Sequence, residues 1–214
     1  MAFNGRYTCD DPIKFMKMQK IVQVLNYLAI KAGGRINKLK ALKLIYFADR
    51  YHLRKYGRLI SNDTYYAMKL GPVPSLACDI AESDAYLDDS YLEYAGEYIH
   101  PIDNGCENSI EYNSIKSADL DLFSETDIEA INYVWQKFGE IEPFRLAEMT
   151  HDYPEWQKHS KVAKRNRRVD MEIIDFLDDP REDIDKIFEL SDQDKECLRE
   201  QIVERNKIEI AWSI

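Results

Sequence analysis

Apolar residues recur with helical spacing from residue 13 to residue 32. Met18, Ile21, Val22, Leu25, Leu28, Ala29 and Ala32 fall on one stripe, which predicts an amphipathic helix. Gly33-Gly34 ends it, because glycine adopts the left-handed backbone that helix ends favour. Asn37 then predicts the N-cap of a second helix that runs to about Tyr56 and stops at Gly57. This helix is apolar over most of its girth, through Leu39, Leu42, Leu44, Ile45, Tyr46, Phe47, Leu53 and Tyr56. It is expected at the centre of the core.

Beyond it the pattern shortens. Thr64 to Leu70 is rich in Tyr and Thr and predicts a strand. Gly71-Pro72-Val73-Pro74 breaks that strand and opens a helix from about Pro74 to Ala85. The runs Glu97–Asp103 and Ile110–Lys116 flank a turn-forming segment and predict a β-hairpin. Ser124 with Asp127 resembles a capping box, starting a helix to Phe138 whose inward face is Ile128, Ile131, Trp135 and Phe138. A short helix from Pro143 to Met149 and a turn through Thr150, His151, Pro154 and Trp156 follow. From Lys161 a basic run precedes an acidic, helical tail from Asp170 to the end, with Ser191 and Asp194 capping its last helix. The expected fold is mainly α (α+β): a helical, bundle-like domain over 13–160 with a small β-hairpin or sheet, and a helical C-terminal extension over 161–214.

Charge adds a second pattern. The net charge is −10, yet residues 1–70 carry 14 Lys/Arg against 4 Asp/Glu, a net of +10. Residues 71–130 carry one base, Lys116, against 15 acids, a net of −14. Such segregation either steers a charged partner or neutralises itself inside the fold. The acidic block makes a basic protein partner the better fit and disfavours nucleic acid, whose affinity rests on neutralising phosphates. No run approaches the ~18 apolar residues of a membrane span, and the four scattered cysteines match no zinc spacing. A cytoplasmic location is expected.

Motifs for nucleotide binding and for serine or zinc hydrolysis are absent from the sequence. Asp49, His52, His151 and Asp152 would form a metal site for a hydrolase if their two segments met. The bland reading makes the histidines hydrogen-bonded structural residues, and no cofactor is expected. Asp49 falls inside the apolar stripe of the second helix. It reads as a satisfied core acid, held by a cation or a tyrosine, or as a buried acid at a cleft. On the same helix Lys40, Lys43, Arg50 and Arg54 share a sector with Phe47, a stripe that would bind an acidic surface or else remain a solvated face. Phe47, Arg50 and Arg54 are therefore candidate partner-binding residues, as are Glu93, Glu97 and Glu107 of the acidic block.

Set side by side, Lys43-Leu44-Ile45-Tyr46-Phe47-Ala48-Asp49, Tyr65-Tyr66-Ala67-Met68-Lys69-Leu70-Gly71-Pro72-Val73, the capped helix and Thr150-His151…Pro154…Trp156 form an ordered set. Over residues 13–160 the chain resembles the Panacea domain, the SocA-like antitoxin family of type II toxin–antitoxin systems. The resemblance implies a mostly helical domain with a small β element. It also implies a non-enzymatic role in which the protein binds and neutralises a cognate protein toxin, in bacteria or prophages and with a link to phage defence. One branch of the family acts instead as an adaptor that delivers its toxin to an AAA+ protease. The resemblance brings no catalytic residues. The matching positions Tyr46, Asp49, Gly71, Pro72, Val73, His151 and Trp156 are expected to shape the domain.

Overall fold

A computed structural model describes residues 11–102, 110–165 and 167–212. Helix α1 (Pro12–Lys31) is capped by Asp11, whose carboxylate accepts from the amides of Ile13 and Lys14. Its predicted stripe is the buried face, extended by Phe15. Gly33 and Gly34 take φ of 84° and 103° and turn the chain into the short strand β1 (Arg35–Asn37). Asn37 caps α2 (Lys38–Tyr56) through the Lys40 amide, and Gly57 closes it at φ 74°. Between Lys38 and Arg54 every residue of α2 except Lys40 is buried. The expected central helix is therefore enclosed on nearly all sides.

Strand β2 (Tyr65–Met68) turns tightly into β3 (Gly71–Pro74), with Met68 opposite Gly71 and Tyr65 opposite Pro74. The Gly-Pro-Val-Pro segment is thus a strand in its own right and not only a break, while the expected helix does open directly after it, with Pro74 at its N-cap position. Gly71, at φ 97°, makes the turn. The prolines are tolerated because β3 lies at the edge of the β3-β2-β6 sheet, where a missing N–H leaves no ladder bond unmade. Helix α3 (Ser75–Glu82) follows, and then α4 (Asp89–Gly96), which the sequence pattern did not reveal. The expected hairpin is present as β4 (Ile99–Ile102) and β5 (Glu111–Ser114), with Ile102 opposite Glu111. Strand β1 pairs with β5 to complete a second sheet, β1-β5-β4.

Helix α5 (Glu125–Phe138) starts on a reciprocal box: Ser124 Oγ accepts from the Asp127 amide at 3.2 Å, and Asp127 Oδ2 accepts from the Ser124 amide at 2.9 Å. Its buried side is Ala130, Ile131, Val134 and Phe138, while Ile128 and Trp135 are half-buried. The inward face is thereby rotated from the expected one. Helices α6 (Pro143–Met149), α7 (Pro154–Gln157) and α8 (Ser160–Ala163) lead to β6 (Val169–Asp170), which adds to β2. Residues 173–177 form a 3₁₀ turn, and only Asp192–Trp212 forms a long final helix, α9. The tail is therefore not helical throughout. Ser191 does cap α9, accepting from the Asp194 amide. Phe176, Leu177, Ile187 and Ile202 join the same buried cluster as α1, α2 and α5.

The box at Ser124 gives one measurable consequence. Ser124→Ala should lower stability by about 1 kcal/mol, read as an earlier urea midpoint, with Ser124→Asp retaining most of it. An unchanged midpoint in the alanine variant would contradict the capping role.

Candidate functional site

Most charged residues of α2 are buried, Lys40 and Lys55 being the exceptions. Arg50 Nη1 donates to Glu155 Oε1 at 2.6 Å and to the Phe176 carbonyl at 2.7 Å, while Nη2 donates to the Asp178 carbonyl at 2.7 Å. Its guanidinium lies 4.7 Å from the centre of the Tyr153 ring. One turn on, Arg54 donates to the carbonyls of Phe188 and Leu177, each at 2.7 Å, and to Asp179 Oδ1 at 2.6 Å. Tyr46 shares Glu155, donating its hydroxyl to Oε1 at 2.6 Å. Burial pushes the Glu155 carboxyl above its usual range, against the pull of Arg50 and the Tyr46 hydrogen bond. Phe47 stacks on Phe138 with centroids 4.5 Å apart. Phe47, Arg50 and Arg54 are all buried, which corrects the expectation that they form a partner-facing stripe. A guanidinium removed from water needs carboxylates and carbonyls around it, and the C-terminal segment supplies them.

Lys43 lies about two turns before Arg50 on the same helix. Its Nζ is fully buried and donates to the Pro72 carbonyl at 2.5 Å. Gly71 leaves the room for this contact: a Cβ there would lie 3.4 Å from Lys43 Nζ and 2.1 Å from Thr150 Oγ1. Burial brings the lysine down to about 7, and the Cys78 thiol near it is itself pushed up to about 12 by burial, so it supplies no counter-charge at neutral pH. His151 stacks on Trp156 at 3.8 Å, and the indole Nε1 donates to the Met68 carbonyl at 2.9 Å. Burial, reinforced by Lys43 and Lys164, holds His151 below the ordinary histidine value.

Asp49 resolves as a satisfied core acid without a cation. It accepts from the amides of Ile60 (2.7 Å) and Ser61 (3.0 Å) and from the hydroxyls of Ser61 and Tyr65, the last at 2.7 Å. Burial nevertheless raises its pKa. His52 is bound to the Arg58 carbonyl and Thr126 Oγ1. The metal arrangement of Asp49, His52, His151 and Asp152 is not assembled: Asp49 and His52 are held by other partners, while His151 stacks on Trp156 with its buried Nε2 lacking a hydrogen-bond partner among the described residues. Among the described residues no group of three or more His, Cys, Asp or Glu is placed to hold a metal ion.

Charge segregation is partly consumed inside the fold. Lys20 and Arg58 pair with Asp127, Lys38 with Glu82, Arg35 with Glu111, and Lys55 with Glu129. Around α4 the exposed charge is acidic, whereas Lys161, Lys164, Arg165 and Arg167 are exposed bases. Asp88, Asp89 and Glu93 are exposed on and before α4 and form no ion pair among the described residues. Tyr86, 99% exposed, projects from the turn between α3 and α4. Glu97 is exposed and pairs with Lys116 at 2.8 Å. Glu107 lies outside the described residues.

The sequence model for antitoxin SocA-like proteins, Panacea domain, matches residues 42–157, more than half of the chain. The chain belongs to the SocA-like Panacea family. No curated protein and no solved structure matches it. The mainly α architecture with small antiparallel sheets agrees with that membership, and no helix among the described residues is long and apolar enough to cross a membrane. Within the Panacea domain, Tyr46 and Asp49 are buried on α2, Gly71 and Pro72 lie against Lys43 of that helix, Trp156 is buried between His151 and β2, and Val73 is a half-buried position of β3. Sequence reading missed Glu155 and Tyr65. The available signal was the enclosed girth of α2, which obliges any charged residue on it to find a distant counterpart.

Lys43 makes the Panacea core sensitive to pH in a calculable direction. Between about 7 and the usual lysine value the unfolded chain holds a proton that the folded chain releases, so stability rises with pH across that window. Lys43→Met should raise stability by roughly 1–4 kcal/mol near neutral pH and below, a gain that shrinks as pH approaches 10. Urea unfolding at several pH values reads both. A variant less stable than the parent at pH 7 would contradict an uncompensated buried ammonium.

Proposed function

We propose that this chain is the antitoxin of a toxin–antitoxin pair and neutralises a cognate protein toxin by direct, non-catalytic binding. The observation that carries the reading is the family match over residues 42–157. The docking surface we propose is the acidic face of α4 and the turn before it, with Asp88, Asp89, Glu93 and Glu97 around the projecting Tyr86. With Arg50 and Arg54 sequestered, this face retains the negative half of the segregated charge. Exposed carboxylates steer and orient a basic partner, and an exposed tyrosine supplies apolar contact at small entropic cost. The cytoplasm, where a toxin acting on RNA or nucleotides would meet it, fits this role.

Co-expression with the toxic product of a neighbouring gene tests the reading. Growth should be restored and the two proteins should co-elute on gel filtration, with the complex weakening as salt rises. Asp89→Lys/Glu93→Lys, both at exposed positions, should weaken the complex by at least about tenfold while leaving the unfolding midpoint in place. Persistent lethality with no complex would refute the antitoxin reading. A toxin silenced only when an AAA+ protease is present would shift it to a proteolytic adaptor.

A further inference from the structure

The segment from Ile173 to Phe188 has little regular structure of its own beyond the 3₁₀ turn, and side chains of the matched domain hold its main chain. Arg50 and Arg54 together grip the carbonyls of Phe176, Leu177, Asp178 and Phe188. Tyr153 donates to the Asp185 carbonyl at 2.8 Å, and Tyr133 to that of Ile187 at 3.3 Å. Phe176 fills a socket of aromatic edges, with Tyr46 and Tyr65 ring centres 5.5 and 5.1 Å away. The acids are read as well: Asp179 by Arg54 and Asp175 by Lys158. Main-chain carbonyls, one deep aromatic anchor and flanking carboxylates are the features by which a polypeptide is recognised as a ligand.

Every one of these gripping residues except Lys158 lies inside residues 42–157, whereas the gripped segment lies outside that span. The segment is also an imperfect occupant. Ile187 sits at φ 71°, a conformation that a β-branched residue adopts only under constraint. Beside these contacts Arg50 Nε and Glu155 Oε2 are buried and find no hydrogen-bond partner among the described residues. A ligand offering an acceptor and a donor there would improve on the resident segment.

We propose that the groove beside α2 is a binding site for an extended peptide, that residues 173–188 occupy it in cis, and that it takes a partner-protein segment with two adjacent apolar residues followed by acids, as in Phe176-Leu177-Asp178-Asp179. The site is distinct from the acidic face of α4, and neither proposal depends on the other. Tethering gives the resident segment a high effective concentration, so an incoming segment competes only when the resident one is loosened or is outmatched.

The test is fluorescence anisotropy with a labelled peptide of residues 172–190 added to the full chain. The parent protein should bind weakly. Phe176→Ala, which loosens the resident segment but keeps the arginines, should bind at least about tenfold tighter, and Phe176→Ala/Arg54→Met should lose that gain. A scrambled peptide of equal composition should not bind. Equal binding to all three proteins, or equal binding of the scrambled peptide, would overturn the proposal. Amide hydrogen exchange of the parent protein keeps the question open to refutation if Phe176→Ala does not fold. Residues 173–188 should exchange about a hundredfold faster than α2, through local release, and exchange only at the rate of α2 would overturn the proposal. A dimer formed in the absence of peptide by swapping this segment would also overturn the partner reading, since the groove would then serve a second copy of the chain.

Discussion

Two guanidinium groups inside a small helical protein set the terms for the rest of the structure. Removing an arginine from water is costly unless its donors meet acceptors in good geometry. Arg50 and Arg54 lie one turn apart on the most enclosed helix, so their acceptors had to come from elsewhere in the chain. They come from Glu155 on α7 and from the carbonyls of residues 176–178 and 188. Those carbonyls belong to an acidic stretch that reads as helical but folds as a 3₁₀ turn and an irregular strap held by the two arginines. One requirement thus ties α2, α7 and the C-terminal segment into a single core.

The same requirement decides what the surface offers. Nearly all of the basic sector of α2 is turned inward, and several remaining bases of the first third are paired with acids of the second. Carboxylates and Tyr86 on the α3–α4 side are left facing solvent. The unpaired carboxylates on that side are what the proposed docking of a basic partner rests on, while Lys161, Lys164, Arg165 and Arg167 stay exposed as well. Glu93 and Glu97 were legible as part of that block from residue counts alone. Tyr86 was not, because a lone tyrosine in a turn carries no periodic signal.

Much of the fold was readable because local rules and burial agreed. Asn37, Ser124 and Ser191 cap helices, the stripe of α1 is on its buried face, and β4 pairs with β5 where a hairpin was expected. Three expectations differ from the structure. Gly71–Pro74 resembles a breaker, yet an edge strand has no need of the amides that proline lacks. On α5, Ile131 and Phe138 are buried as expected, while Ala130 and Val134 take the inward places given to Ile128 and Trp135. The stripe on α2 was assigned to a surface although the helix was already apolar nearly all round, leaving no face for solvent. Asp49 was legible as a buried acid, but its four donors come from a loop and a strand whose approach no spacing rule encodes.

If interior charge organises this protein, the Arg50–Glu155 contact must be strongly coupled. A double-mutant cycle with Arg50→Met, Glu155→Leu and the combined variant, followed by urea unfolding, measures this directly. Each single change strands a buried charge and should cost about 3–5 kcal/mol. The double change should cost far less than their sum, with a coupling of at least about 2 kcal/mol. Additive losses, or single changes that leave the midpoint in place, would show that α2 is held by apolar packing alone and would contradict the account.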